Sequence, residues 1–159
     1  MSHPPSASPE HTHARVPPPL ILAVFFTLGI LCERWFPTPT IPAPWRQLSA
    51  GFCLAASGVL FAWGLTCFAR ARTNPIPFHN SAALLTSGPY RFSRNPLYVS
   101  AALLYAGLAL WWKVLWALPL LPLALAALRR LVIDKEESLL GSRFGAEYLA
   151  YKGRVRRWL

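Results

Sequence analysis

Two short stretches carry most of the polar chemistry of this chain. The first, Leu85 to Ser100, crowds Gly88, Pro89, Tyr90, Arg91, Arg94, Asn95, Pro96 and Tyr98 between long apolar runs. The second, Asp134 to Tyr151, brings Glu136, Glu137, Tyr148 and Tyr151. One is basic, the other acidic, so their charges are complementary. Gly88 opens backbone angles closed to other residues, and each proline fixes one dihedral while restricting its predecessor, so the first stretch has a definite irregular shape. Irregular polar backbone at a membrane margin is tolerated where it is buried in protein or lines a cavity, which favours a binding site. The plainer reading is a basic cytoplasmic connector, which would by itself account for Arg70, Arg72, Arg91 and Arg94.

The rest of the chain supplies the elements that must hold these stretches. Of 159 residues, 54% are hydrophobic and only 14% charged, which indicates a single membrane domain rather than a soluble one. The net charge of +10 raises the question of nucleic acid. The basic residues sit at the ends of apolar runs and no nucleic-acid-binding motif is present, so the charge reads as membrane orientation and no nucleic-acid partner is expected. Cys32, Cys53 and Cys67 lie inside apolar runs as small hydrophobes, without metal-ligand spacing. His3, His11 and His13 belong to a Pro- and Ser-rich leader, residues 1–19, expected to be a disordered cytoplasmic tail; no metal is assigned there.

A first span begins at Leu20 and reaches Phe36. The link from Phe36 to Trp45 holds four prolines and is expected to be an extended turn. A second span, Leu48 to Phe68, offers Gly51, Ala55, Ala56, Ser57 and Gly58 for close helix packing. Thr73 to Asn80 leads irregularly into the central motif, and His79 within it reads as a solvated loop histidine. Leu97 to Leu128 is too long for one crossing, so it predicts a helical hairpin turning near Lys113, with Trp111, Trp112 and Trp116 as an interfacial belt. Pro119 and Pro122 bend the returning arm. The expected fold is therefore an all-α integral membrane protein of about four transmembrane helices, with a cytosolic C-terminal helical segment.

Lysine and arginine counts put both termini and the two motifs on the cytosolic side, in the expected setting of a bacterial inner (cytoplasmic) membrane. In the last segment Ile133, Glu136 or Glu137, Leu140 and Phe144 recur at helical spacing, so one carboxylate can point back to the central motif. Gly145 is expected to break this helix. Beyond it Tyr148, Tyr151, Val155 and Trp158 oppose Lys152, Arg154, Arg156 and Arg157, the pattern of a helix lying on an anionic surface.

With both motifs in view, from about Thr73 to Leu159, the chain resembles the isoprenylcysteine carboxyl methyltransferase and phospholipid methyltransferase superfamily of small integral-membrane enzymes. The carriers are Gly88-Pro89-Tyr90-Arg91-Phe92-Ser93-Arg94-Asn95-Pro96-Leu97-Tyr98, then Glu136-Glu137-x-x-Leu140, Phe144-Gly145-x-Glu147-Tyr148-x-x-Tyr151 and Val155. The resemblance implies a domain over 20–159 whose cofactor-binding part is 73–159. It implies S-adenosyl-L-methionine in a cytosol-facing pocket and a lipophilic or lipidated acceptor arriving from the bilayer. Gly88, Pro89, Tyr90, Arg91, Arg94, Asn95, Pro96, Tyr98, Glu136, Glu137, Tyr148 and Tyr151 would line the cofactor, and Glu136, Glu137 and Arg94 would carry the chemistry. Carboxylates and aromatic faces suit a sulfonium and an amino group, and an arginine suits the methionine carboxylate. Members of the superfamily often have histidine where this chain has Asn95, which assigns Asn95 a hydrogen-bonding role.

Two other readings stay open at this level. Sterol reductases carry a similar Gly-x-x-x-x-Ser-Arg-x-Pro-x-Tyr stretch and bind NADPH. A non-catalytic membrane protein could use both motifs only to pack the hairpin against its tail. The acceptor atom, O, N or S, and the oligomeric state are not encoded in any pattern of the sequence.

Overall fold

The computed structural model describes residues 16–39, 41–72 and 84–158. Every element in them is helical: α1 (Pro18–Trp35), α2 (Ala43–Arg70), a 3-10 turn (Gly88–Arg91), α3 (Pro96–Trp111), α4 (Ala117–Leu128), a π-turn (Arg129–Ile133) and α5 (Asp134–Arg154). Most of the leader, and all of Thr73 to Asn80 with His79, lie outside the described residues.

Prolines set the helix starts. Pro18 opens α1, Pro44 lies in the first turn of α2 and Pro96 opens α3. A proline there loses nothing, because the first-turn N–H groups have no partner inside the helix. The expectation of an extended Phe36–Trp45 link is corrected for this reason: α2 begins at Ala43, before Trp45. Pro18 and Pro19 likewise belong to α1 and not to an unstructured leader.

Two helices, α1 of 18 residues and α2 of 28, are long and apolar enough to cross a membrane. The hairpin arms α3 and α4 pack in opposite directions: α3 against α2, and α4 against α1. Ser57 of α2 donates a buried 2.7 Å hydrogen bond to the Ser100 carbonyl of α3. The packing face of α2 is Ala50, Ser57 and Gly64, at seven-residue intervals, while Gly51, Ala55 and Gly58 are exposed. The small-residue run singled out in the sequence thus contributes only one of its faces, since neighbours in a helix point about 100° apart.

The hairpin turns where expected. Lys113 takes a positive φ of 61°, and the Val114 amide returns to the Ala109 carbonyl at 2.8 Å. Two charged residues tie this end of the bundle. Arg46 donates to the carbonyls of Leu110 and Trp111. Glu33 accepts from the Thr38 amide and hydroxyl and from the Trp116 amide. Trp35, Trp45, Trp111, Trp112 and Trp116 are exposed around it.

At the opposite end α4 passes through the π-turn into α5 without leaving the helical path. Pro122 lies inside α4. The core there is Ile21, Leu128, Val132 and Ile133, with Trp158 from the C-terminus packed against it. Gly145 interrupts α5 with φ 49° and ψ −122°, as the sequence predicts. The bend it makes turns the following residues back over the body of the protein.

Candidate functional site

The two motifs meet. After α5 ends, residues 155–158 run back across the segment preceding α3, and a set of backbone bonds holds them. The Arg94 amide donates to the Arg156 carbonyl at 3.0 Å. The Ser93 hydroxyl and the Asn95 side-chain amide both donate to the Arg157 carbonyl, at 3.2 and 3.1 Å. Asn95 therefore clasps the C-terminal strap and does not stand free to meet a ligand. The Tyr151 hydroxyl donates to the Tyr90 carbonyl at 2.7 Å, and Tyr90 stands edge-on to Phe68. Gly88 opens the 3-10 turn at φ 61°, a backbone angle that suits glycine. Pro89 and Pro96 are fully buried.

The two adjacent glutamates have opposite environments. Glu137 is buried and encircled by cations. Arg157 binds it through two parallel bonds of 2.9 and 2.8 Å, Arg94 Nη1 lies 3.3 Å away, and Lys152 Nζ 3.9 Å away. Arg157 also reaches Asp134 at 3.0 Å. The bidentate bond to Glu137 holds the Arg157 guanidinium above its ordinary pKa.

Glu136 has no ion-pair partner among the described residues. Both of its oxygens accept from the Tyr98 hydroxyl, at 3.0 and 3.1 Å. Burial pushes its carboxyl up to about 7, with Glu137 adding to the rise and the Tyr98 bond opposing it. A carboxyl poised near neutrality by desolvation is the environment enzymes use for proton acceptors.

Arg94 is the third distinctive group. Its side chain is only 10% exposed, yet Nε and Nη1 lack a hydrogen-bond partner in good geometry; the contact with Glu137 is a charge contact. The buried Tyr148 hydroxyl lies against the Arg94 guanidinium, outside good hydrogen-bond geometry, and close enough to Glu137 and Arg157 to feel their charges. Burial raises the phenols of Tyr90, Tyr148 and Tyr151, so they remain protonated at neutral pH. Buried guanidinium donors without acceptors in good geometry are uncommon.

The structure thus gathers Tyr90, Arg94, Asn95, Tyr98, Glu136, Glu137, Tyr148 and Tyr151 into one cluster. Arg91 stays outside it, exposed and stacked 5.6 Å over the Phe92 ring. Sequence reading missed Arg157, Asp134 and Ser93 as members. The helix beyond Gly145, with Tyr148 and Tyr151 in the apolar stripe opposite its basic residues, was expected to lie on an anionic surface. Instead both tyrosines are buried within the protein, the helix ends before Val155, and Arg157 turns inward.

A cleft of about 680 Å³ opens between α3 and α4, with Arg129, Arg130, Asp134 and Trp158 at its margin. It borders the cluster through Asp134, which lies at its margin and is held by Arg157 at 3.0 Å.

The architecture is that of a small helical protein with an apolar body and a buried, partly uncompensated charge cluster at one end. The phospholipid methyltransferase family matches residues 45–147, most of the chain, and the chain belongs to that family. Its members are methyltransferases acting on lipid-like substrates, which together with the two long apolar helices places the protein at a membrane. No curated protein and no solved structure matches the chain. The family match stops short of Tyr148, Tyr151 and the C-terminal strap.

Proposed function

We propose that the protein is an S-adenosyl-L-methionine-dependent integral-membrane methyltransferase that modifies an O, N or S nucleophile on a lipophilic acceptor at the cytosolic face. Four crossings, by α1, α2, α3 and α4 with its π-turn, would leave both motifs and both termini on that side. Charge distribution supports the orientation. Arg70, Arg72, Arg91, Arg129 and Arg130 flank the motif end, against Arg34, Arg46 and Lys113 at the other.

The observation that carries the reading is one cluster holding Glu136, a half-buried carboxylate with no ion pair among the described residues, and Arg94, a nearly buried guanidinium whose charge meets Glu137 at 3.3 Å and whose Nε lacks an acceptor. The cofactor's methionine part has the inverse pattern, an anionic carboxylate together with an amino group and a sulfonium. The residues fit it. Arg94 would hold the carboxylate with its guanidinium, Tyr148 would donate a further hydrogen bond, and Glu136 would face the positive groups. Bound there, the cofactor supplies an electrophilic methyl group on a positively charged sulfur.

The chain's own contribution is positioning, exclusion of water and, where needed, a proton acceptor. Tyr98 fixes both Glu136 oxygens, so the carboxylate is aimed before any ligand arrives. With its pKa near 7, Glu136 can take the proton released by an amine or thiol acceptor, while a carboxylate acceptor needs no base. Glu137, already engaged by Arg157, Arg94 and Lys152, holds the strap and the Arg94 guanidinium in place, which moves the acid-base role from the pair to Glu136 alone.

Calorimetric titration of the detergent-purified protein tests this, with NADPH run in parallel. Saturable S-adenosyl-L-methionine binding, weakened about tenfold or more in Arg94→Lys, is expected, since a lysine cannot offer two donors in one plane. Binding of NADPH alone would move the assignment to a reductase, and binding of neither would leave a non-catalytic packing role.

A further inference from the structure

Two arginines compete for one buried carboxylate, and the distances show which prevails. Arg157 takes both oxygens of Glu137: its Nε donates to Oε1 at 2.9 Å and its Nη2 to Oε2 at 2.8 Å, while its Nη1 reaches Asp134 at 3.0 Å. Arg94 is left with the longer approach, Nη1 to Oε1 at 3.3 Å and outside hydrogen-bond geometry, and its Nε has no acceptor. Lys152, exposed and 3.9 Å away, is too distant to bond. A planar guanidinium that meets a carboxylate along two parallel bonds is held more firmly than one that meets a single oxygen. Arg157 therefore holds the carboxylate, and Arg94 keeps its donors. Helix periodicity does not place Arg157: it follows the end of α5 at Arg154 and lies beyond residue 147, where the family match stops. Its carbonyl accepts from Ser93 and Asn95, and the Arg156 carbonyl accepts from the Arg94 amide, so the strap is bound to Arg94 and to the residues on either side of it. Trp158 packs against the core of Ile21, Leu128, Val132 and Ile133, which fixes the strap on the other side of Arg157.

We infer that Arg157 is a positioning residue of the cofactor site: by occupying both oxygens of Glu137 it keeps that carboxylate from closing on Arg94, and so leaves the Arg94 guanidinium available to the carboxylate of the incoming ligand. The inference rests on the methyltransferase reading and deepens it. Without Arg157, the nearest cation to Glu137 is Arg94. A buried carboxylate stripped of its partner is costly, so it draws on the cation that remains. A movement of about half an ångström brings the pair to the roughly 2.7–2.9 Å of a charge-assisted bond. The ligand would then have to displace a carboxylate of the protein itself. The strap thus acts on the site from outside it: Arg157 touches no ligand, and its effect passes through Glu137.

S-adenosyl-L-homocysteine, which keeps the carboxylate, and 5′-methylthioadenosine, which lacks it, are the probes, titrated calorimetrically into detergent-purified protein at one fixed pH. Arg157→Gln is expected to weaken S-adenosyl-L-homocysteine about tenfold or more, the scale of a charge-assisted hydrogen bond, and to leave 5′-methylthioadenosine unchanged. Arg157→Lys, which keeps the charge but not the fork, is expected to fall between. Arg157→Gln/Glu137→Gln removes the competitor as well, and is expected to bind S-adenosyl-L-homocysteine at least about threefold more tightly than Arg157→Gln alone. A merely structural Arg157 predicts the opposite order, since the double variant has lost more of the clasp. Melting curves without ligand read the competition separately. Arg94→Gln is expected to lower the melting temperature more in the Arg157→Gln background than in the wild type, because Arg94 has there become the main partner of Glu137. Equal losses for the two probes, a double variant that binds no better than Arg157→Gln, or the same effect of Arg94→Gln in both backgrounds would each overturn the inference. A wild type that binds neither probe overturns the methyltransferase reading, and the melting curves then still decide whether Arg157 holds Glu137 off Arg94.

Discussion

Protonation of Glu136 should govern cofactor affinity across the physiological pH range. Its carboxyl is displaced upward from 4.5 to about 7, burial being the largest cause. A cation is attracted only by the ionised form. At pH 6 about a tenth of the molecules carry that charge and at pH 8 about nine tenths, so affinity for S-adenosyl-L-methionine should rise roughly tenfold between them. In Glu136→Gln the dependence should flatten and binding should stay weak throughout. The same displacement has a consequence for stability with a definite sign. A carboxyl whose folded pKa is raised binds its proton more tightly in the native state. The stabilisation is complete below about 4.5 and is lost as pH climbs through about 7. Fully lost, it corresponds to roughly 3 kcal/mol. Without cofactor, Glu136→Gln should therefore raise the melting temperature at pH 8 and change it little at pH 4.5. Calorimetric titrations at pH 6, 7 and 8 and melting curves at the two extremes read both effects. Wild-type affinity that is flat from pH 6 to 8 in folded protein, or a glutamine variant that still shows the rise, would refute the assignment of Glu136.

Glu137→Gln should act differently from Glu136→Gln although the residues are adjacent. It takes the charge partner from Arg94 and leaves Arg157 with Asp134 alone, a loss of up to about 3–5 kcal/mol, and should loosen the C-terminal strap; hydrogen exchange at residues 155–158 will detect the release, and unchanged protection there would argue against the clasp. Gly145→Ala forces a side chain into φ 49°, ψ −122°. That should cost about 1–3 kcal/mol and displace Tyr148 and Tyr151 from the cluster, seen as a lower melting temperature together with weaker cofactor binding; a neutral effect would mean that the bend does not depend on glycine.

The sequence alone determined the helical, membrane-associated character, because long apolar runs broken by prolines and bounded by arginines leave few alternatives. Lys113 marked the hairpin turn and Gly145 the break in α5 by the same local logic: one interrupts an apolar run, the other ends a helical periodicity. That the two polar stretches belong together was legible for a similar reason, since clustered glycine, proline, arginine and glutamate are out of place in a greasy chain. Local pattern did not say which face of α2 packs. Ala50, Ser57 and Gly64 are chosen by contact with α3, and the glycines beside them look equally suitable in sequence. Nor could periodicity decide between Glu136 and Glu137, since each follows Ile133 at helical spacing. Tertiary structure made that choice by routing the C-terminal strap past Ser93 and Asn95, so that Arg157, twenty residues beyond Glu137, neutralises one carboxylate and leaves the other half-buried with a tyrosine. Desolvation and charge compensation depend on what surrounds a residue in space, and the end of the chain became part of the site only when the bend at Gly145 folded it back.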